Sequence, residues 1–184
     1  IKEAMEKQFP NMEACIWNTE FLSNFMNLMP NVSYTFVEVN SFYLEIVYDY
    51  LRNIFDNVLI NPTEKEISYY ANRFDSIIVR KLITRAPLLK PYSNVIGNNK
   101  DIKPRSSLIY KQTIEKTIVD IYVDRNRFSI YYEIDSIIFD LLKTYTVNFQ
   151  KLFRYAYYRG VEKELKEYIE QDIRFDTNKG EFYD

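Results

Sequence analysis

Through the first eighty residues, short apolar runs alternate with helical repeats. Ala14-Cys15-Ile16-Trp17 predicts a short strand. Asn18 then suits an N-cap with Glu20 at the second helical position, opening a helix that should end before Pro30. Alternation is clearest over residues 33–39, with Tyr34, Phe36 and Glu38 on one face and Thr35, Val37 and Val39 on the other. Ser41 is placed to cap a helix in which Leu44, Val47, Tyr48, Leu51, Ile54 and Phe55 follow the i, i+3, i+4, i+7 rule. Asn57 to Ile60 reads as a strand, Asn61-Pro62-Thr63 as a turn and cap, Glu64 to Ala71 as a short helix, and Ser76 to Leu82 as a fourth strand. The alternation predicts an α/β fold: a small, mainly parallel sheet with helices against it.

The rhythm breaks from Thr84 to Ser107, where Pro87, Pro91 and Pro104 flank Gly97-Asn98-Asn99-Lys100-Asp101. A long loop is expected there, with one short strand near Asn94 to Ile96. Beyond it the repeat is helical: Tyr110 to Asp124, Glu133 to Tyr145, Asn148 to Arg159 and Val161 to Gln171, with Gly160 suited to a C′ position. The expected organisation is an α/β part over 1–83, the loop over 84–107, an all-helical part over 108–171 packed on the first, and a flexible tail over 172–184. An amphipathic stretch, Ile1 to Phe9, is stopped by Pro10; it opens without an initiator methionine, which suggests that a domain precedes it.

The run Thr113 to Asp124 is unusual. At 100° per residue Ile114, Ile118 and Ile121 gather on one side, Val119 and Val123 lie nearly opposite, and Lys116, Asp120 and Asp124 share a strip between them. A helix apolar on two faces is central, so its charges need partners. Glu115 lies about 140° from Asp120 around the axis, so the acids do not converge on one cation. Glu115, Lys116 and Asp120 are therefore read as structural polar groups, Asp120 being bonded to the backbone or to a basic side chain elsewhere.

Composition narrows the chemistry. No histidine is present, which removes Ser-His-Asp and Cys-His catalysis and the commonest transition-metal ligand. Cys15 is the only cysteine and sits among apolar neighbours, so it reads as a buried packing thiol. Three glycines exclude phosphate-cradling loops, and no cofactor or metal is expected. A net charge of −2 argues for neither bulk nucleic-acid binding nor an acidic tail. No apolar run approaches membrane-spanning length and no signal peptide is evident, so a cytoplasmic location is expected.

Two places have candidate chemistry. Glu38 falls at the carboxyl end of a strand, where open α/β sheets place ligand contacts, but no acid-x-lysine pair follows it, and it reads as a rim carboxylate. On the helix Asn148 to Arg159, Phe149, Leu152, Phe153 and Ala156 form the core face, and Lys151, Arg154, Tyr155 and Tyr158 an opposite stripe. Basic and aromatic side chains of this kind suit a protein partner or stacked bases. Arg80, Lys81, Arg85, Lys90, Lys103 and Arg105 add a loose positive region around the long loop.

Ile16-Trp17-Asn18-Thr19, Tyr34-Thr35-Phe36-Val37-Glu38-Val39, Asn61-Pro62-Thr63, Ser76-Ile77-Ile78-Val79 and Ala86-Pro87-Leu88 together resemble the C-terminal region of AbiEi-like antitoxins. The runs from Thr113 to Asp120 and from Asn148 to Ala156 extend the likeness. These are bacterial type IV toxin–antitoxin and abortive-infection components. The resemblance implies a non-enzymatic regulatory domain, a nucleotidyltransferase-like toxin as protein partner, and DNA contact mainly through an N-terminal winged helix for which there is no room before Ala14. Contact with the toxin or self-association is expected through Lys151, Arg154, Tyr155 and Tyr158. The alternatives are a metal-dependent, nuclease-like enzyme using Glu38 with Asp75 or Asp120, and an accessory nucleic-acid-binding domain.

Overall fold

The computed structural model describes residues 1–90 and 108–183. The strand expected near Asn94 to Ile96 and the basic Lys103 and Arg105 lie outside the described residues. The fold is α/β, with a six-stranded, mixed and mostly parallel sheet in the order β3-β4-β2-β1-β6-β5. The strands are β1 (Ala14–Asn18), β2 (Tyr34–Val39), β3 (Val58–Ile60), β4 (Ser76–Lys81), β5 (Leu88–Leu89) and β6 (Ile109–Gln112). The helices α1 (Lys2–Gln8) and α2 (Leu44–Arg52) cover one face. On the other face lie α4 (Ile114–Asp124), α5 (Ile134–Thr144), α6 (Phe149–Tyr158) and α7 (Glu162–Glu167). The short α3 (Glu64–Glu66) runs on as a wider π turn through Ile67–Ala71.

Strand alternation sorts the core into two layers. Ala14, Val37, Val39, Ile77, Val79 and Ile109 face Met5, Val47 and Leu51. Cys15, Trp17, Tyr34, Phe36 and Ile78 face Ile118, Ile121, Leu152 and Ala156. The capping signals work largely as expected: Asn18 accepts from the Glu20 amide, and Thr63 and Glu66 form a reciprocal capping box. Gly160 takes φ +73° just after α6, a left-handed position that would strain other residues.

Several expectations are corrected. β1 and β2 pair antiparallel, because the segment after Asn18 is a 3₁₀ turn (Thr19–Phe25) that does not carry the chain back across the sheet as a parallel crossover requires. Asn40, not Ser41, caps the next helical segment, accepting from the Phe42 amide at 3.1 Å. The helix expected from Tyr110 begins only at Ile114, after β6 has joined the sheet parallel to β1. Thr113 marks that boundary, its hydroxyl accepting from the Lys116 amide. The last segment, expected to fray, contains a hairpin, β7 (Phe175–Asp176) with β8 (Glu181–Phe182). Buried Phe175 anchors it against Phe149, with ring centroids 5.5 Å apart.

Candidate functional site

β2 and β4 run parallel with Glu38 opposite Arg80, and both side chains point toward the helical layer. α4 crosses above them, buried along nearly its whole length, and turns Lys116, Asp120 and Asp124 down at successive i, i+4 positions. α6 contributes Tyr155, and Arg159 follows at its end. Four elements thus meet in one cluster of buried charge.

Every carboxylate oxygen in it is engaged. Glu38 Oε1 accepts from Arg80 Nε at 2.8 Å and Nη2 at 2.7 Å, while Glu38 Oε2 lies 2.6 Å from Lys116 Nζ. Asp120 Oδ2 receives Lys116 Nζ and, at 3.3 Å, Arg80 Nη2. Asp120 Oδ1 receives the Tyr155 hydroxyl at 2.9 Å and Arg159 Nη1 at 2.8 Å. Asp124 accepts from Arg80 at 2.6 Å and from Arg127 at 3.2 Å. The Arg80 guanidinium also lies over the Phe36 ring, 4.1 Å from its centroid.

The protonation states follow from this packing. Burial pushes the Asp120 carboxyl up, but Lys116, Arg80 and Arg159 outweigh it and hold the group at about 2. For Lys116 and Arg80 burial opposes the charged form, and the surrounding carboxylates outweigh it, so both stay protonated above their ordinary ranges. Beside them, burial and the Glu38 charge push the Cys15 thiol up to about 12. Cys15 should therefore resist iodoacetamide in the folded protein at pH 8 and react only in denaturant, as a mass-spectrometric time course will show. Rapid labelling of the native protein would contradict that burial.

Glu38 is thus no rim carboxylate: it is 2% exposed and lies at the centre of the cluster. The structure joins it to Asp120 through shared cations, while Asp75 accepts from the Ser33 amide at the opposite end of β2, roughly 16 Å away by strand rise. Carboxylates already saturated by lysine and arginine make a poor donor set for a hard cation. Among the described residues no group of three or more acids, cysteines or histidines is placed to hold a metal. Glu115 sits apart, its Oε1 accepting from the Asn148 amide at 3.0 Å where α6 begins.

The profile described as Family of unknown function (DUF6577) matches residues 1–174. The chain belongs to the DUF6577 family. No curated protein and no solved structure matches it.

In this DUF6577 chain the expected α6 stripe is partly corrected. Lys151, Arg154 and Tyr158 reach the surface, but Tyr155 is 1% exposed and belongs to the charge cluster. Tyr155 lies only about 60° around the axis from Leu152, at the margin of the core face, and its hydroxyl has Asp120 to reach. Tyr157, which the sequence reading omitted, is 66% exposed and takes its place. Arg85 donates to the Tyr158 hydroxyl and bridges this face to the segment after β4. Between them lies a groove of about 440 Å³ lined by Arg85, Pro87, Leu88, Thr113, Lys151 and Arg154, with no carboxylate among the described residues of its lining. Among the described residues no helix is long and apolar enough to cross a membrane.

Proposed function

We propose that this DUF6577 chain is a non-enzymatic regulatory domain of antitoxin type that acts by protein contact. Its partner is an acidic surface on a nucleotidyltransferase-like toxin, the partner implied by the likeness to AbiEi-like antitoxins. The observation that carries the reading is the groove beside α6, where Arg85, Lys151 and Arg154 converge with no acid among the described residues that line it. Exposed Tyr157 and Tyr158 continue that surface with the rigid aromatic area that protein interfaces favour. An unneutralised basic groove steers an acidic partner and rejects a basic one.

Charge reversal tests it. Lys151→Glu together with Arg154→Glu should weaken capture of the co-encoded toxin by about 100-fold and abolish its neutralisation in cells, since like charges across an interface cost several kcal/mol. The melting temperature should move by only about 2 °C, because both side chains are at the surface. Full toxin neutralisation by the double variant would refute the assignment.

A further inference from the structure

A second cleft, of about 440 Å³, opens at the carboxyl ends of β3 and β4, where the sheet meets the ends of α4 and α6. Its charged rim is Arg80, Lys81, Arg127 and Arg159, with Asp124 the one acid among the described residues of the lining. Asp124 is not free to repel an anion, since each of its oxygens already holds an arginine. Behind the rim, Glu38, Asp120 and Asp124 balance Lys116, Arg80 and Arg159 charge for charge. Arg127 and Lys81 are left over, an excess of two positive charges: Arg127 lines the cleft, and Lys81, which leaves the strand on the face opposite Arg80, stands at its rim.

Unused donors are also present. Among the described residues Arg159 gives a single N–H to Asp120, and Arg127 gives one to Asp124 and one to the Pro62 carbonyl, out of five on each guanidinium. The Lys81 ammonium has no ion pair or hydrogen bond among the described residues. Ile83, Val123, Phe128 and Tyr158 supply an apolar and aromatic wall beside these cations. The volume falls within the range of small-molecule sites.

We propose that this cleft binds a small molecule carrying a terminal phosphate monoester and a planar apolar part, the chemistry of a mononucleotide. A phosphate monoester carries a charge of about −1.5 to −2 at neutral pH, which matches the excess of two; a backbone diester carries half of that. Arginine donors fork onto phosphate oxygens, and the adjoining wall accepts a flat ring. The cleft shares Tyr158 with the partner surface but none of the basic residues of the α6 groove, so charge changes at one leave the other intact and the two readings fail independently.

Calorimetry on the full chain with adenosine 5′-monophosphate, inorganic phosphate and a short single-stranded DNA lacking terminal phosphates tests it. The monophosphate should bind saturably at one site, and inorganic phosphate more weakly in competition with it. Arg127→Gln should weaken the monophosphate by about tenfold or more, the scale of a lost charged hydrogen bond. Lys81→Gln, at an exposed side chain with no partner to lose, should also weaken it, whereas Lys151→Gln should leave it unchanged. Absence of saturable binding, native affinity retained in both cleft variants, or tighter binding of the DNA than of the monophosphate would each overturn the proposal.

Discussion

Lys116→Met is expected to lower the unfolding free energy by about 3–5 kcal/mol. Lys116 is wholly buried and stands between Glu38 Oε2 and Asp120 Oδ2 as their common counter-ion. Methionine fills a similar volume, so the loss comes from charge and not from a cavity. It leaves two buried carboxylates facing each other across the vacated ammonium, and removing one member of a buried pair is far costlier than never having built it. Adding Glu38→Gln should recover a large part of the loss, because it relieves the repulsion that the first change creates. Urea unfolding of the two variants gives both values. A drop below about 1 kcal/mol would mean that packing, not ion pairing, holds this centre.

Asp120→Asn should cost about 3 kcal/mol or more at pH 7, with a pH dependence that identifies the cause. Asp120 serves Lys116, Arg80, Arg159 and the Tyr155 hydroxyl at once. Its folded pKa is lowered to about 2, against about 3.9 in an unfolded chain. A lowered carboxylate contributes stability that is complete above the unfolded value and is lost as pH falls through the folded one. The native protein should therefore weaken between about pH 4 and pH 2, and the Asn variant should follow a flatter curve. Urea midpoints at pH 7, 4 and 2.5 give the comparison. The gap between the two proteins should shrink toward the lowest pH; a constant gap would assign the loss to shape instead of charge.

Half of the cluster was legible in the chain. The i, i+4 spacing of Lys116, Asp120 and Asp124, on a helix apolar on two sides, required buried charge with partners elsewhere. What spacing does not contain is which strands become neighbours. Arg80 reaches Glu38 only because β4 lies beside β2, a neighbour relation between strands that are 42 residues apart at this pair. Glu38 did send a signal, since it continues the face of Tyr34 and Phe36, the aromatic face that packs against the helical layer. Position at a strand end outweighed that alternation and suggested a rim. Tyr155 was misplaced for a related reason: at the margin of a helical face, the angle alone does not say whether a long polar side chain turns in or out. The β6–α4 boundary was within reach, because Thr113 three residues before Lys116 is a cap signal inside what otherwise reads as one helix.

Buried charges contributed by four separate elements also shape how the molecule comes apart. If α6 lifts away, Asp120 loses Arg159 and Tyr155. If α4 lifts away, Glu38 and Arg80 are left at a sheet surface stripped of Lys116, Asp120 and Asp124. Lifting α6 alone leaves Asp120 packed against the sheet with fewer counter-ions, an arrangement that neither the fully docked nor the fully solvated state contains. Partial opening is disfavoured for that reason. Sheet and helices are therefore expected to melt as a single cooperative unit, with coincident transitions by fluorescence and circular dichroism, even though the sequence writes them as two successive halves.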